Sequence, residues 1–329
     1  MKKNKNIILN GLIDLAQPRL GTKVVYKTDE FFAAAKRIIE PSPPIFKEGV
    51  FDKNGKWMDG WETRRKRKSG HDYLILKLGK PGRIHKVDID TSYFNGNQPS
   101  KVSLDVCSSK KSVPDKNQKW TSILSKKSTG PSRHHFFNVK KTSIITHVRL
   151  NIFPDGGVAR LRLFGELESK KFGNKAINLT SVLNGSAPIA CNNEHFGRAE
   201  NVLAPGQGKN MGDGWETRRS RGKNFDWLII KCASAATIDK IQIDTHHFKG
   251  NYPDQCSIQA AYVNGKASAN KIINKSKNWK LLLNKSKLYA HKKHNFFNKL
   301  MKKNKVNYLK INIFPDGGIS RIRVFGKTQ

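Results

Sequence analysis

The sequence predicts an all-β chain built as two copies of one antiparallel jelly-roll β-sandwich, and three observations carry that prediction. The run Asp59-Gly60-Trp61-Glu62-Thr63-Arg64-Arg65 returns unchanged as Asp213-Gly214-Trp215-Glu216-Thr217-Arg218-Arg219, 154 positions on. Seven consecutive identities exceed what composition supplies, and the period is close to a usual domain length. Apolar and polar residues alternate over short stretches in both halves, which is the period of a half-buried strand. Turns rich in Pro, Asp and Gly punctuate those stretches, and little of the chain has a helical period. The expected layout is an N-terminal extension over residues 1–11, a first sandwich over 12–167, a linker over 168–177 and a second sandwich over 178–329.

Taken in order, Thr28 or Asp29 is placed to cap a short helix through Phe31, Ala33 and Ile38, which Pro41 stops. Its counterpart is Asn193 to Ala199, ended by Pro205, and Pro41-Ser42-Pro43-Pro44 reads as rigid extended chain. After each signature run comes an apolar strand, Asp72 to Leu78 and Asp226 to Cys232. A second strand follows in each copy, with Val87 and Ile89 against Asp88 and Asp90, then Ile241 and Ile243 against Gln242 and Asp244. Polar loops succeed them, Asp90 to Pro99 and Asp244 to Pro253. Both copies close on a strand, a Phe-Pro-Asp-Gly-Gly turn at 153–157 and 314–318, and a last strand carrying Arg160 and Arg162 or Arg321 and Arg323. Asp155 and Asp316 are expected to cap their own turns, and Trp61 and Trp215 to be core or pocket wall. The separation between copies has grown to 161 at Asn151 and Asn312, which places the insertions around 108–133 and 262–293.

Composition narrows the function classes. No apolar run reaches the 18 residues or so of a membrane span, and Ile7-Ile8-Leu9 is too short for a signal-peptide core. A soluble, cytoplasmic protein is therefore expected. Cys107, Cys191, Cys232 and Cys256 lack C-x-x-C spacing and do not occupy matching places, so buried reduced thiols are expected instead of a zinc site or a disulfide framework. The net charge of +37 suits nucleic acid or small anions. Pairs such as Lys110-Lys111, Lys126-Lys127, Lys292-Lys293 and Lys302-Lys303 are scattered through loops, and only Arg64-Arg65-Lys66-Arg67-Lys68 approaches a patch, with a weaker counterpart in Arg218-Arg219-Ser220-Arg221. A solvated basic surface is the better reading.

The signature run, the D-T-x-x-F-x-G-N-x-P loop and the N-I-F-P-D-G-G turn with its R-x-R strand recur in one order, twice. Together they resemble the allantoicase (allantoate amidinohydrolase) family over about residues 12 to 326. That resemblance implies paired jelly rolls similar to galactose-binding domains, and hydrolysis of allantoate to ureidoglycolate and urea in purine (allantoin) degradation. It also implies oligomers, and it leaves a divalent metal open without naming a ligand; His246-His247 has Ser92-Tyr93 opposite it in the first copy.

Allantoate carries one carboxylate and two neutral ureido arms. A guanidinium fork suits the carboxylate, which makes Arg64, Arg65, Arg160, Arg162, Arg218, Arg219, Arg321 and Arg323 candidates for binding. Asp59, Asp90, Asn95, Asn97, Asp213, Asp244, Thr245 and Asn251 offer donors and acceptors for the arms. Proton delivery to the departing nitrogen and activation of water fall to Glu62 and Glu216, and to His134 and His294 in the runs His134-His135-Phe136-Phe137 and His294-Asn295-Phe296-Phe297. Packing alone also explains much of this, since a duplicated core keeps its packing residues. His71 faces Phe225 and Gly79 faces Ala233, which leaves open one site, two, or one shared between the copies. A non-catalytic carbohydrate- or ligand-binding tandem and a charge-driven nucleic-acid binder are the competing classes, and the repeated acid-and-guanidinium cluster favours the hydrolase.

Overall fold

The computed structural model describes residues 6–140, 142–168, 171–220, 224–301 and 304–328. The start of the expected extension, residues 169–170 of the expected linker, Arg221 and Lys302-Lys303 lie outside the described residues. Two compact units are present, one over Asp14–Glu168 and one that joins Ser169–Gln329 to the N-terminal residues up to Ile13.

Each unit is organised on one 19-residue strand, Asp72–Asp90 in the first and Asp226–Asp244 in the second. The sequence suggests two separate strands in each place, but the backbone stays extended throughout. In the first unit the leading half, Asp72 to Lys77, pairs antiparallel with Ile145–Phe153 on one side and Lys23–Lys27 on the other. The trailing half pairs with Arg160–Leu167 and His134–Asn138. A bent strand thus belongs to both layers and forms the corner of the sandwich. At the bend the backbone of Leu20 comes so near Gly79 that a Cβ there would collide with the Leu20 carbonyl. The second unit repeats the arrangement with Val306–Phe314, Arg321–Thr328 and Lys293–Phe296.

The predicted alternation builds the cores. Leu74, Leu76, Val87, Ile89, Leu150 and Leu161 are fully buried, as are Leu228, Ile230, Ile241, Ile243, Ile311 and Ile322. The four cysteines are buried and free, and burial pushes the Cys107 thiol up to about 11.

Two local expectations are corrected, and two further features lie beyond them. The capped helix over 29–38 is only a 3-10 turn, Ala35–Ile39, whose N-cap Ala34 offers no side-chain bond. Asp29 is engaged by Arg64 and Thr28 by Asp72, so neither is available to cap. The matched turn in the second unit is Ala199–Leu203. Asp155 and Asp316 do not cap their own turns; they accept the backbone N–H of Lys66 and Ser220, each at 2.6 Å, and tie the turn to the signature loop. The variable middle of the second unit contains an α-helix, Ala269–Ser276, with Ser268 as N-cap; Ile272 and Ile273 pack with Ile229, Trp279 and Tyr308 on the outer sheet face. Finally, Ile7–Ile8 of the expected extension pairs with Ala190 and Cys191. That pairing covers what is otherwise the open edge of Ala187–Cys191, whose other side pairs with the long strand.

Candidate active site

The signature run crosses from core to surface in seven residues. Trp61 is fully buried and donates Nε1–H to the Asp29 carbonyl at 2.8 Å, as Trp215 does to Asn193. Thr63 lies against the closing turn, accepting the Gly156 N–H at 3.2 Å. That turn needs glycine at position 157, because a Cβ would run into the ring of buried Phe94 in the Asp90–Pro99 loop. The three recurring motifs are therefore one packed unit, repeated around Thr217, Gly318 and Phe248.

Glu62 is 9% exposed, and its Oε1 accepts the Asn97 side-chain amide at 2.8 Å. Burial raises the Glu62 carboxyl above its ordinary range, and the Asn97 bond only partly offsets this. Asn97 also lines a hollow of about 290 Å³ together with Phe46, Lys56, Met58, Tyr93 and Asn95. Phe46 and Tyr93 stack with centroids 5.7 Å apart, and Lys56 Nζ lies 4.6 Å from the Phe46 ring. In the second repeat Glu216 and Asn251 make the same bond at 2.5 Å. A larger hollow of about 540 Å³ adjoins the hairpin of Phe51–Asp52 and Gly55–Lys56, lined by Asp29, Glu30, Arg37 and Asp52 among others. Its charges are mostly engaged: Asp29 by Arg64, Glu30 by Lys27 and Arg37 by the Met58 carbonyl.

The remaining predicted residues fall into different places. Arg160, 2% exposed, donates to Asp59 Oδ2 at 2.7 Å and to the carbonyls of Ser42, Asp59 and Ala159. Arg321 holds Asp213 likewise, by Oδ2 at 2.7 Å and by its carbonyl at 2.5 Å. Arg162 donates to the carbonyls of Pro41 and Ser42, and Arg323 to those of Val202, Ala204 and Gly206. Burial and neighbouring Arg321 push the Arg323 guanidinium down to about 10. These four arginines, with Asp59 and Asp213, pin the preceding loops to the last strand, and most of their donors are taken by those loops.

Arg64 forks onto Asp29 Oδ1 at 2.9 and 3.2 Å. Burial pushes Asp29 up, but the backbone N–H and guanidinium of Arg64 outweigh it and hold the carboxyl low. Asn193 replaces Asp29 in the second repeat, and among the described residues Arg218 makes a 3.3 Å backbone bond to Asn193 and a 3.4 Å contact with His195 in place of the fork. Arg65 and Arg219 are exposed.

The two candidate histidines are not equivalent. Strand register pairs His134 with Asp90 and Lys293 with Asp244, so His294 corresponds to His135. His135 and His294 each donate Nδ1–H to a strand carbonyl, Ile89 or Ile243, and accept a backbone N–H at Nε2 from Gly130 or Tyr289. His294 is thus a backbone pin, kept neutral by burial, which lowers its pKa. His134 is half exposed, 2.8 Å from Asp88 and 3.8 Å from Asp90. Asp90 Oδ1 accepts the N–H and hydroxyl of Ser92, and Asp244 accepts the His246 N–H. Thr245 donates to the Tyr289 and Lys292 carbonyls. Among the described residues, none of the contacts joins His134 or Asp90 to Glu62, and no group of three His, Cys, Asp or Glu side chains is placed to hold a metal.

Of the residues in and beside the smaller hollow, the sequence names Glu62, Asn95 and Asn97 as candidates and does not single out Phe46, Lys56, Met58 and Tyr93. The signal was there: Lys56 and Phe46 lie in a stretch longer in the first copy than in the second.

A family model described as "Allantoicase repeat" matches residues 13–168 and 177–329. A "Probable allantoicase" of Pseudomonas fluorescens strain Pf0-1 is 47% identical over 319 residues, 96% of each chain. One of Acinetobacter baylyi is 46% identical over 324 residues, 97% of this chain and 96% of its own length. The crystal structure of Saccharomyces cerevisiae allantoicase superposes with a TM-score of 0.82 at 34% identity, covering 96% of this chain and 93% of its own. With both repeats matched and relatives this close along nearly the whole length, the chain belongs to the allantoicase family.

Proposed function

We propose that the first repeat carries the family's reaction at Glu62 and the hollow beside it. The chain is a hydrolase of a non-peptide C–N bond, cleaving allantoate to ureidoglycolate and urea. The carrying observation is that Asn97 both lines the hollow and bonds the buried carboxyl of Glu62. The hollow offers one ammonium, Lys56, for the single carboxylate of allantoate, and two amides, Asn95 and Asn97, for its ureido arms. Phe46, Met58 and Tyr93 supply apolar walls that exclude water and strengthen those polar contacts.

Protonated Glu62, favoured by its burial, donates its proton to the ureido nitrogen as the bond from that nitrogen to the central carbon breaks. The lone pair of the other ureido nitrogen supports the electron-poor carbon that remains. Water then forms the new C–O bond and returns a proton to the Glu62 carboxylate, so the acid is regenerated and urea leaves. No step is assigned to a metal.

Replacing Glu62 by Gln keeps the shape and removes the transferable proton. Its kcat for urea release from allantoate is expected to fall about 10²- to 10⁴-fold with KM little changed. Undiminished turnover would remove Glu62 from this role. The competing non-catalytic tandem is disfavoured by membership of a family of hydrolases.

A further inference from the structure

The repeats share the glutamate–asparagine bond but not the chain that builds the hollow next to it. Ala35 and Ala199, which open the matched 3-10 turns, stand 164 positions apart, whereas Asp59 and Asp213 stand 154 apart. The first repeat therefore has ten residues more in this stretch. The longer stretch forms the Phe51–Asp52 and Gly55–Lys56 hairpin, and it brings Phe46, Lys56 and Met58 to the hollow.

In the second repeat the shorter connection ends in a 3-10 turn, Met211–Asp213. Met211 places its Sδ 3.7 Å from the Asn251 side-chain amide, the group equivalent to the Asn97 amide that lines the hollow. His247 stands where Tyr93 does, and its Nε2–H donates to the Gly208 carbonyl at 2.8 Å, fastening the loop across that position. Asn210, Gly212 and Lys249 occupy the chain positions of Lys56, Met58 and Asn95. The ammonium for a carboxylate, the aromatic stack and one of the two amides have thus all been exchanged, while the Glu216–Asn251 bond persists.

We infer that allantoate is bound and turned over in the first repeat alone, and that the Glu216–Asn251 pair serves to hold the loop of the second repeat. The inference rests on the site placed at Glu62 above. Asn251 has in Met211 a neighbour that a substrate arm would need to displace, and Asn210 leaves no ammonium at the position of Lys56 to anchor the carboxylate. Its amide partner is retained because it fastens the Asp244–Pro253 loop to the signature run, a packing task common to both copies.

The test uses the whole 329-residue chain. Urea release is measured for Glu62→Gln and Glu216→Gln, and allantoate binding to the Glu62→Gln protein is followed by isothermal titration calorimetry. The expected result is a loss of at least about 100-fold for Glu62→Gln, a change below about threefold for Glu216→Gln, and one allantoate per chain. Each variant retaining about half of the turnover, or two equal sites in the titration, would overturn the inference while leaving the Glu62 site in place. Full turnover by Glu62→Gln would instead sink the site itself, and the inference with it. Should Glu216→Gln fail to fold, the titration decides alone, since it leaves the second repeat unaltered.

Discussion

Glu62 is a carboxyl whose burial and single amide partner pull in opposite directions, and burial dominates. Its raised pKa has a definite sign in the pH profile. An acid must be protonated to act, so kcat is expected to decline as pH rises through the Glu62 pKa, and Glu62→Gln should abolish that limb along with the activity. A limb that survives in the residual activity of Glu62→Gln would assign it to another group. The same raised pKa disfavours the folded state as Glu62 ionises: stability present below the ordinary glutamate range is lost as pH climbs to the folded pKa. Lys56 makes a separate prediction. Losing a charge-assisted bond is worth about 1.5–3 kcal/mol, so Lys56→Met is expected to raise KM for allantoate about 10- to 100-fold in steady-state assays, with partial recovery in Lys56→Arg. An unchanged KM would place the carboxylate elsewhere.

At the scale of elements, the last strand of each repeat is a clamp. Arg160 spreads its donors over Asp59, Ser42 and Ala159 and ties two loops to one strand. Removing it takes from the mostly buried Asp59 carboxylate the one cation that pairs with it among the described residues, and leaves it the Ile45 N–H at 3.0 Å. Arg160→Ala is expected to cost about 3–5 kcal/mol, read as a lowered midpoint in urea or heat. Arg160→Lys should recover little of this, because an ammonium cannot reproduce the planar fork. A stable Arg160→Ala protein with weakened substrate binding would return this residue to the substrate. Much of the clamp and the fold was legible in the sequence. Period-two alternation found the strands, and identity between copies found Glu62, Asn97 and both Arg-x-Arg pairs. Partners were not legible, since an arginine suited to a carboxylate ligand is equally suited to an aspartate 101 positions away. The histidines show the same limit. Matching strings of letters aligns His134 with His294, whereas the inward–outward alternation, with Phe137 and Phe296 on one face, aligns His135 with it. The length difference before the signature run could also have been counted, and it marks the hairpin that bears Lys56.

For the whole chain, charge sets the approach of the substrate. A net +37 creates a positive potential that draws a small anion from all directions, and salt screens it over about 10 Å at 0.1 M. Raising the ionic strength is therefore expected to raise KM for allantoate while kcat stays flat, in assays from low salt to about 0.5 M. A salt-independent KM would confine the relevant attraction to Lys56 and its immediate surroundings. No helix among the described residues is long and apolar enough to cross a membrane.

The pairing of Ile7–Ile8 with Ala190 and Cys191 has a consequence for how the polypeptide is made. A ribosome releases Ile7 and Ile8 well before their partner strand exists, so they stay hydrated and unpaired while about 180 further residues emerge. An expression tag fused at the front would hang beside that late-closing seam. Trimming the leader back to Asp14 would leave the backbone of Ala187–Cys191 bare to neighbouring molecules, with clumping in concentrated samples as the visible outcome.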